Sequence, residues 1–268
     1  MSKPSLKMIA TDIDGTMLRS DGTLSPRVQA ALHAAWDAGI HVVPATGRPL
    51  MVAYDVIDAL ELPHYWVFAN GAITRHLERD ELVRGFWMDP FVAQGLVVEL
   101  RAAIPGAGFA IEMDRDVAHE PGFAELVPHK PDTAPVDDVL DNIHSRVQKV
   151  VIFHPEMPID ELHRRTGDVV GDHASPSYSG LSFIEVGVGQ VTKSTALDAL
   201  AADLGIDPSE VAAFGDNHND VTMLAWAGRS FAMGNATDDA KAAADEVIPD
   251  SDQDGLARKV EELLAELG

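Results

Sequence analysis

Short apolar runs alternate, in the first part of the chain, with longer stretches whose apolar residues recur every three or four positions. Met8-Ile9-Ala10-Thr11 is such a run, and it stops at Asp12, as a buried strand stops at the rim of a sheet. Ser25 followed by Pro26 reads as an N-cap with proline at the first helical position. Val28, Leu32, Ala35 and Trp36 then repeat at helical spacing, and Gly39 marks the stop. The pattern predicts a second strand over 40–45, a helix over 50–60 and a third strand over 65–69, closed by Asn70-Gly71. Pro44 is discordant, because it has no N–H to donate to a strand ladder.

The same grammar returns near the end. Helices are predicted over 192–204, 220–226, 237–244 and 253–267, and strands over 211–214, 229–233 and around Val247. Strands separated by helices imply parallel pairing, so the expected fold class is α/β, a Rossmann-like parallel sheet with helices on both faces. The stretch 86–186 differs. It is rich in proline, including Pro90, Pro105, Pro121, Pro128, Pro131 and Pro155, and its strand candidates are 109–113, 147–153 and 181–186. The expected organisation is a core built from 1–85 and 187–268, with 86–186 as a smaller inserted α/β (α+β) domain.

Composition narrows the setting. Hydrophobic residues make up 46% of the 268, enough for a sizeable core. There is no cysteine, which excludes disulfides and thiolate metal sites and fits a reducing, cytoplasmic setting. No apolar stretch has the length of a signal core or a membrane span. The formal net charge of −23 disfavours nucleic acid and anionic membrane as partners. It also repels phosphorylated small molecules, so a site for them must supply its own positive charge. A monomer or homodimer is expected.

Four places carry candidate chemistry. Asp12-Ile13-Asp14-Gly15-Thr16 follows the first strand, where open α/β sheets place ligands, and Gly15 permits a tight turn. Taken alone, the same residues also suit an ordinary turn. Thr46-Gly47-Arg48 ends the second strand; Thr46 offers a hydroxyl, or merely a helix cap. Lys193 opens a helix, where a cation opposes the macrodipole unless it and the helix end share an anion; a solvated surface lysine is the simpler alternative. Gly215-Asp216-Asn217-His218-Asn219-Asp220 gathers hard oxygen donors after a strand, more than capping requires, and such donors suit magnesium. His218 fits a ligand or, more simply, a solvent-facing bystander.

In this order, the four segments resemble the haloacid dehalogenase superfamily of phosphohydrolases. Asn70-Gly71-Ala72 and Met233-Gly234-Asn235-Ala236 are similar to its Cof-type sugar-phosphatase branch, in which an α/β cap is inserted between the second and third motifs. Ser194 departs from the pattern, standing where a glycine commonly follows the motif lysine. The resemblance implies Mg²⁺-dependent hydrolysis of small phosphate monoesters, with Asp12 as nucleophile, Asp14 as general acid and base, and Thr46 and Lys193 contacting the phosphoryl oxygens. It implies that Asp12, the Asp14 carbonyl and Asp216 hold the metal, that Asn219 and Asp220 support them, and that Gly47, Arg48 and Asn70 meet the substrate. His119 and Glu120 are further substrate-facing candidates in the cap. A phosphotransferase or sugar phosphomutase on the same core is the alternative, and a non-catalytic phosphometabolite-binding protein is a second.

Overall fold

The computed structural model describes residues 6–62, 64–113, 116–127, 133–174 and 176–267. Pro128 and Pro131 of the proline-rich stretch lie outside the described residues. The chain divides into two compact units, Met1–Arg84 with Lys193–Gly268, and Gly85–Thr192.

The first unit is built on a parallel sheet. Its strands are β1 (Met8–Thr11), β2 (His41–Pro44), β11 (Val211–Gly215), β12 (Arg229–Ala232) and β13 (Glu246–Val247), in the order β13-β12-β11-β1-β2. All residues of β1 and β11 are buried, as expected of strands covered on both faces. β1 is central, pairing Met8 with Val211 on one side and with His41 on the other. The chain moves outward from β1 to β2 in one direction and from β11 to β13 in the other. The rim between β1 and β11 is therefore a topological switch point, where α/β sheets bind ligands.

Helices cover this sheet. α1 (Pro26–Asp37) is capped by the Ser25 hydroxyl, which accepts from the Val28 N–H at 3.1 Å, and it packs on α8 (Gly255–Ala265). α5 (Lys193–Leu204), α6 (Val221–Trp226) and α7 (Asp238–Ala243) form a second group. The 50–60 segment is not one helix. A single 3-10 turn over Leu50–Val52 gives way at Ala53 to α2 (Tyr54–Leu60).

β3 (Tyr65–Phe68) extends the parallel sheet only through an Ala45–Val67 bridge. It pairs antiparallel with β4 (Ile73–His76), and β5 (Glu81–Gly85) completes a three-stranded sheet. Pro44 causes no conflict. The next residue's N–H, from Ala45, donates to Thr11 on the β1 side, so Pro44 nitrogen faces the other way, where pairing with β3 has not yet begun.

The second unit is an antiparallel sheet in the order β7-β6-β8-β10-β9. Its strands are β6 (Gly108–Met113), β7 (Val117–His119), β8 (Val147–Phe153), β9 (Pro176–Ser177) and β10 (Phe183–Val186). Alternation along the strands sends Phe109, Ile111, Val150, Ile152 and Ile184 to the face packed by α3 (Pro90–Ala103) and α4 (Ile159–Val170). The other face carries Ala110, Val151, Phe153 and Phe183, and beside them a buried charged group. There Lys149 bonds to Glu185 and stands 3.3 Å from Glu112.

Candidate active site

Asp12 follows the last residue of β1, and its N–H donates to the Phe214 carbonyl of β11 at 2.9 Å. Backbone pairing thus places this carboxylate at the switch point. One irregular turn, Ile13–Met17, follows. Gly15 sits there at φ +77°, and a Cβ on it would lie 2.4 Å from Asp216 Oδ2, so the residue is fixed by conformation and by space. The Thr16 hydroxyl donates to Asp216 Oδ1 at 2.9 Å, tying the loop after β1 to the loop after β11.

Lys193, the first residue of α5, is fully buried. Its ammonium donates to Asp12 Oδ1 at 2.5 Å and to Asp220 Oδ1 at 2.7 Å. Asp220 Oδ2 accepts the N–H groups of Asp216 and Asn217, both at 3.0 Å. Asp220 therefore orients the lysine with one oxygen and folds the acidic loop with the other. Asn219 Nδ2 donates to Asn70 Oδ1 at 3.0 Å, joining this loop to the turn after β3.

The sequence-selected residues fall into a cluster and a rim. Asp12, Lys193, Asp216 and Asp220 are in contact or nearly so: one carboxylate oxygen from each of the three aspartates lies within 4.8 Å of the others. Thr46, Gly47 and Arg48 lie beyond the end of β2 on the same rim. The Thr46 hydroxyl accepts from the Arg48 N–H at 3.0 Å. The Arg48 guanidinium grips Asp14 in a fork, Nε to Oδ2 at 2.8 Å and Nη2 to Oδ1 at 2.6 Å. Sequence reasoning did not foresee this pairing, since it assigned Arg48 to the substrate. It also gave no role to Asn235, whose side chain donates to the Gly15 carbonyl at 2.8 Å and accepts from Ser251 N–H at 3.1 Å. Met233-Gly234-Asn235-Ala236 is visible in the sequence as a segment similar to the family branch, but the partner of Asn235 across the chain is not.

His218 is bonded to Asp239 at 2.7 Å and takes no part in the cluster. In the second unit, His119 and Glu120 serve the local fold. The His119 ring bonds the Glu120 and Thr133 carbonyls, and both Glu120 oxygens are engaged, by Arg101 and by the N–H groups of Phe109 and Val139. The expectation that these two side chains face a substrate gives way to a packing role.

Electrostatics in the cluster are unbalanced. Burial pushes Asp12 well above the usual carboxylate range; Lys193 opposes this, while Asp220, Asp216 and Asp14 add to it. Asp216 is pushed up to about 7, chiefly by burial and then by Asp220, against the Thr16 hydroxyl bond and Lys193. Burial would lower Lys193, but Asp12 and Asp220 outweigh it and hold the ammonium charged. One lysine does not balance this many buried carboxylates. The donor set, hard oxygens with excess negative charge, fits a divalent cation. Asp12 and Asp216 are the donors with capacity left for it, because both Asp220 oxygens are already engaged.

An α/β fold and relatives that are phosphatases place the chain among the phosphoric monoester hydrolases. The chain belongs to the haloacid dehalogenase-like hydrolase family, whose sequence profile matches residues 9–260. It is 28% identical over 270 residues to the 5-amino-6-(5-phospho-D-ribitylamino)uracil phosphatase YitU of Bacillus subtilis, covering 97% of this chain and 98% of that one. It is also 28% identical to the HMP-PP phosphatase of Cronobacter sakazakii, over 85% of this chain and 84% of that one. The crystal structure of SMU.1108c from Streptococcus mutans superposes with a TM-score of 0.87 at 25% identity, covering 97% of this chain and 100% of the other. Phosphatases of this family generally use a divalent metal ion.

Proposed function

We propose that the chain hydrolyses phosphate monoesters of small metabolites through an aspartyl-phosphate on Asp12, with Mg²⁺ as cofactor. The observation that carries this reading is the buried lysine shared by Asp12 and Asp220, with Asp216 beside them at the end of the neighbouring strand. A carboxylate nucleophile and a phosphate dianion repel each other, so positive charge must be in place before they meet. Asp12, the Asp14 carbonyl and Asp216 would hold Mg²⁺, which when bound neutralises phosphoryl charge and orients the group in line with Asp12.

The remaining chemistry belongs to the chain. An Asp12 oxygen forms a bond to phosphorus as the ester P–O bond breaks, and Asp14 gives its proton to the departing alkoxide. Asp14 then takes a proton from water as that water attacks phosphorus, releasing phosphate and restoring Asp12. Lys193 and Thr46 donate to the equatorial oxygens, where charge spreads in the transition state. Arg48, which holds Asp14 by both oxygens, must yield at least one of them for this proton transfer. An entering phosphate offers its guanidinium an alternative anion. The unit Gly85–Thr192 is the proposed cap domain. The relatives named above, a phosphoribitylamino-uracil phosphatase and an HMP-PP phosphatase, support a small phosphorylated metabolite as substrate.

Phosphate release from a panel of phosphometabolites tests this reading. Turnover is expected with Mg²⁺, to vanish with EDTA, and to fall by at least ~10⁴-fold in Asp12→Asn, the scale seen when a catalytic nucleophile is removed. Undiminished turnover by the variant would exclude Asp12 as nucleophile.

A further inference from the structure

A second group of ligating side chains lies in the first unit, at the other end of β3 from Asn70. His64 immediately precedes β3, His76 ends β4, and Glu78 follows in the turn leading to β5. The strand ladder holds them in register: Tyr65 pairs with His76, and the Leu77 N–H donates to the His64 carbonyl at 2.8 Å. One ligand atom from each of the three side chains lies within 4.8 Å of the other two.

Aromatic packing fixes both imidazoles. His64 stacks on Trp36 with ring centroids 3.7 Å apart, and His76 meets the Tyr65 ring edge-on at 4.7 Å. The two imidazoles stand at 5.2 Å and 72° to each other. His76 is only 2% exposed, and its Nδ1 is buried with no hydrogen-bond partner. Buried ring nitrogens are almost always paired, and a bound ion is one of the few partners that would fit here. Strand pairing alone does not require a histidine at this position, and a neutral apolar ring would pack against Tyr65 as well.

We propose that His64, His76 and Glu78 bind a divalent transition-metal ion of the zinc class, at a site separate from the magnesium-binding carboxylates. Two imidazoles with one carboxylate suit zinc, nickel or copper, whereas magnesium favours an all-oxygen shell. The fourth position falls to water. Zinc bonds of about 2.0–2.2 Å set the ligand atoms roughly 3.5 Å apart, and these atoms already lie within 4.8 Å of one another. Glu78, on an exposed turn, is the ligand free to adjust while the packed rings stay in place. β3 rises about 3.3 Å per residue, so its length separates this ion from the phosphoryl site by well over ~10 Å. The ion therefore clamps the β3–β4 ribbon and takes no part in phosphoryl transfer.

The test uses tag-free, full-length protein saturated with Mg²⁺ and titrated with Co²⁺, then Zn²⁺. One Co²⁺ per chain is expected, with visible d–d bands of tetrahedral intensity that Zn²⁺ displaces, and Zn²⁺ is expected to raise the melting temperature. Glu78→Gln, which alters only an exposed turn, weakens binding roughly tenfold or more and leaves Mg²⁺-dependent turnover unchanged. His64→Gln abolishes the bands, and Asp216→Asn leaves them intact. The proposal is overturned if the Mg²⁺-saturated protein takes up no stoichiometric Co²⁺. It is equally overturned if the bands survive both Glu78→Gln and His64→Gln, or disappear in Asp216→Asn.

Discussion

At Asp12 and Asp216, burial and neighbouring carboxylates act in one direction, toward the protonated form. A metal ion binding there must displace protons. Apparent Mg²⁺ affinity is therefore expected to climb as pH rises toward about 7, by about tenfold per pH unit for the proton that Asp216 releases. Calorimetric Mg²⁺ titrations at a series of pH values measure this slope, and a flat profile through that range would contradict the assignment. Glu112 provides a second case, in the other unit. Two carboxylates share the buried Lys149 ammonium, and Glu112 is pushed from 4.5 to about 7, first by burial, with Lys149 opposing and Glu185 adding. The sign follows from proton uptake. Between these two values the folded chain holds a proton that the unfolded chain has lost, so stability falls as pH rises through the window. Glu112→Gln should flatten that fall and raise the melting temperature at pH 8 relative to the parent, while changing little at pH 4. Equal melting curves for the two proteins at pH 8 would show that the glutamate carries no such cost.

Among the elements, β11 and the loop after it are held to close packing. A Cβ on Gly215 would lie 2.5 Å from Asp220 Cβ, so Gly215→Ala pushes aside the carboxylate that orients Lys193 and folds the acidic loop. Overpacking of this kind costs about 1–3 kcal/mol, and turnover is expected to fall further than stability because two charges lose their alignment together. Denaturant unfolding and kcat, measured on the same variant, separate the two effects. Much of this architecture was legible in the chain. Apolar runs ending at aspartate, the Ser25-Pro26 cap and the turn glycines are local signals, and they located β1, α1, β11 and both acidic loops. What escaped notice depends on distant register. β4 and β5 were not read as strands, so nothing brought His64 and His76 together. Glu112, Lys149 and Glu185 are polar positions on three separate strands, and no local pattern joins them. Only the pairing of β6, β8 and β10 shows that they meet one another. The Arg48–Asp14 fork escaped for the same reason, since no local pattern announces a partner across the sheet rim.

For the whole molecule, a charge of −23 sets a field that anionic substrates must cross. Salt screens it, the Debye length shrinking from about 30 Å at ~0.01 M to about 8 Å at ~0.15 M. The value of kcat/KM for a phosphate monoester at saturating Mg²⁺ is thus expected to rise with added potassium chloride over that range. A fall would mean that Lys193 and Arg48 dominate approach. Among the described residues, no helix is long and apolar enough to cross a membrane. The central position of β1 has one more consequence, for how the molecule comes into being. β1 leaves the ribosome well before its neighbour β11, which follows some two hundred residues later, Met8 facing Val211. At roughly 5–20 residues per second, that strand edge waits on the order of ten to forty seconds for its partner. Lys193 and Asp216 arrive just as late, so a nascent chain, or a product truncated within the middle unit, carries Asp12, the proposed nucleophile, without the groups that would arm it.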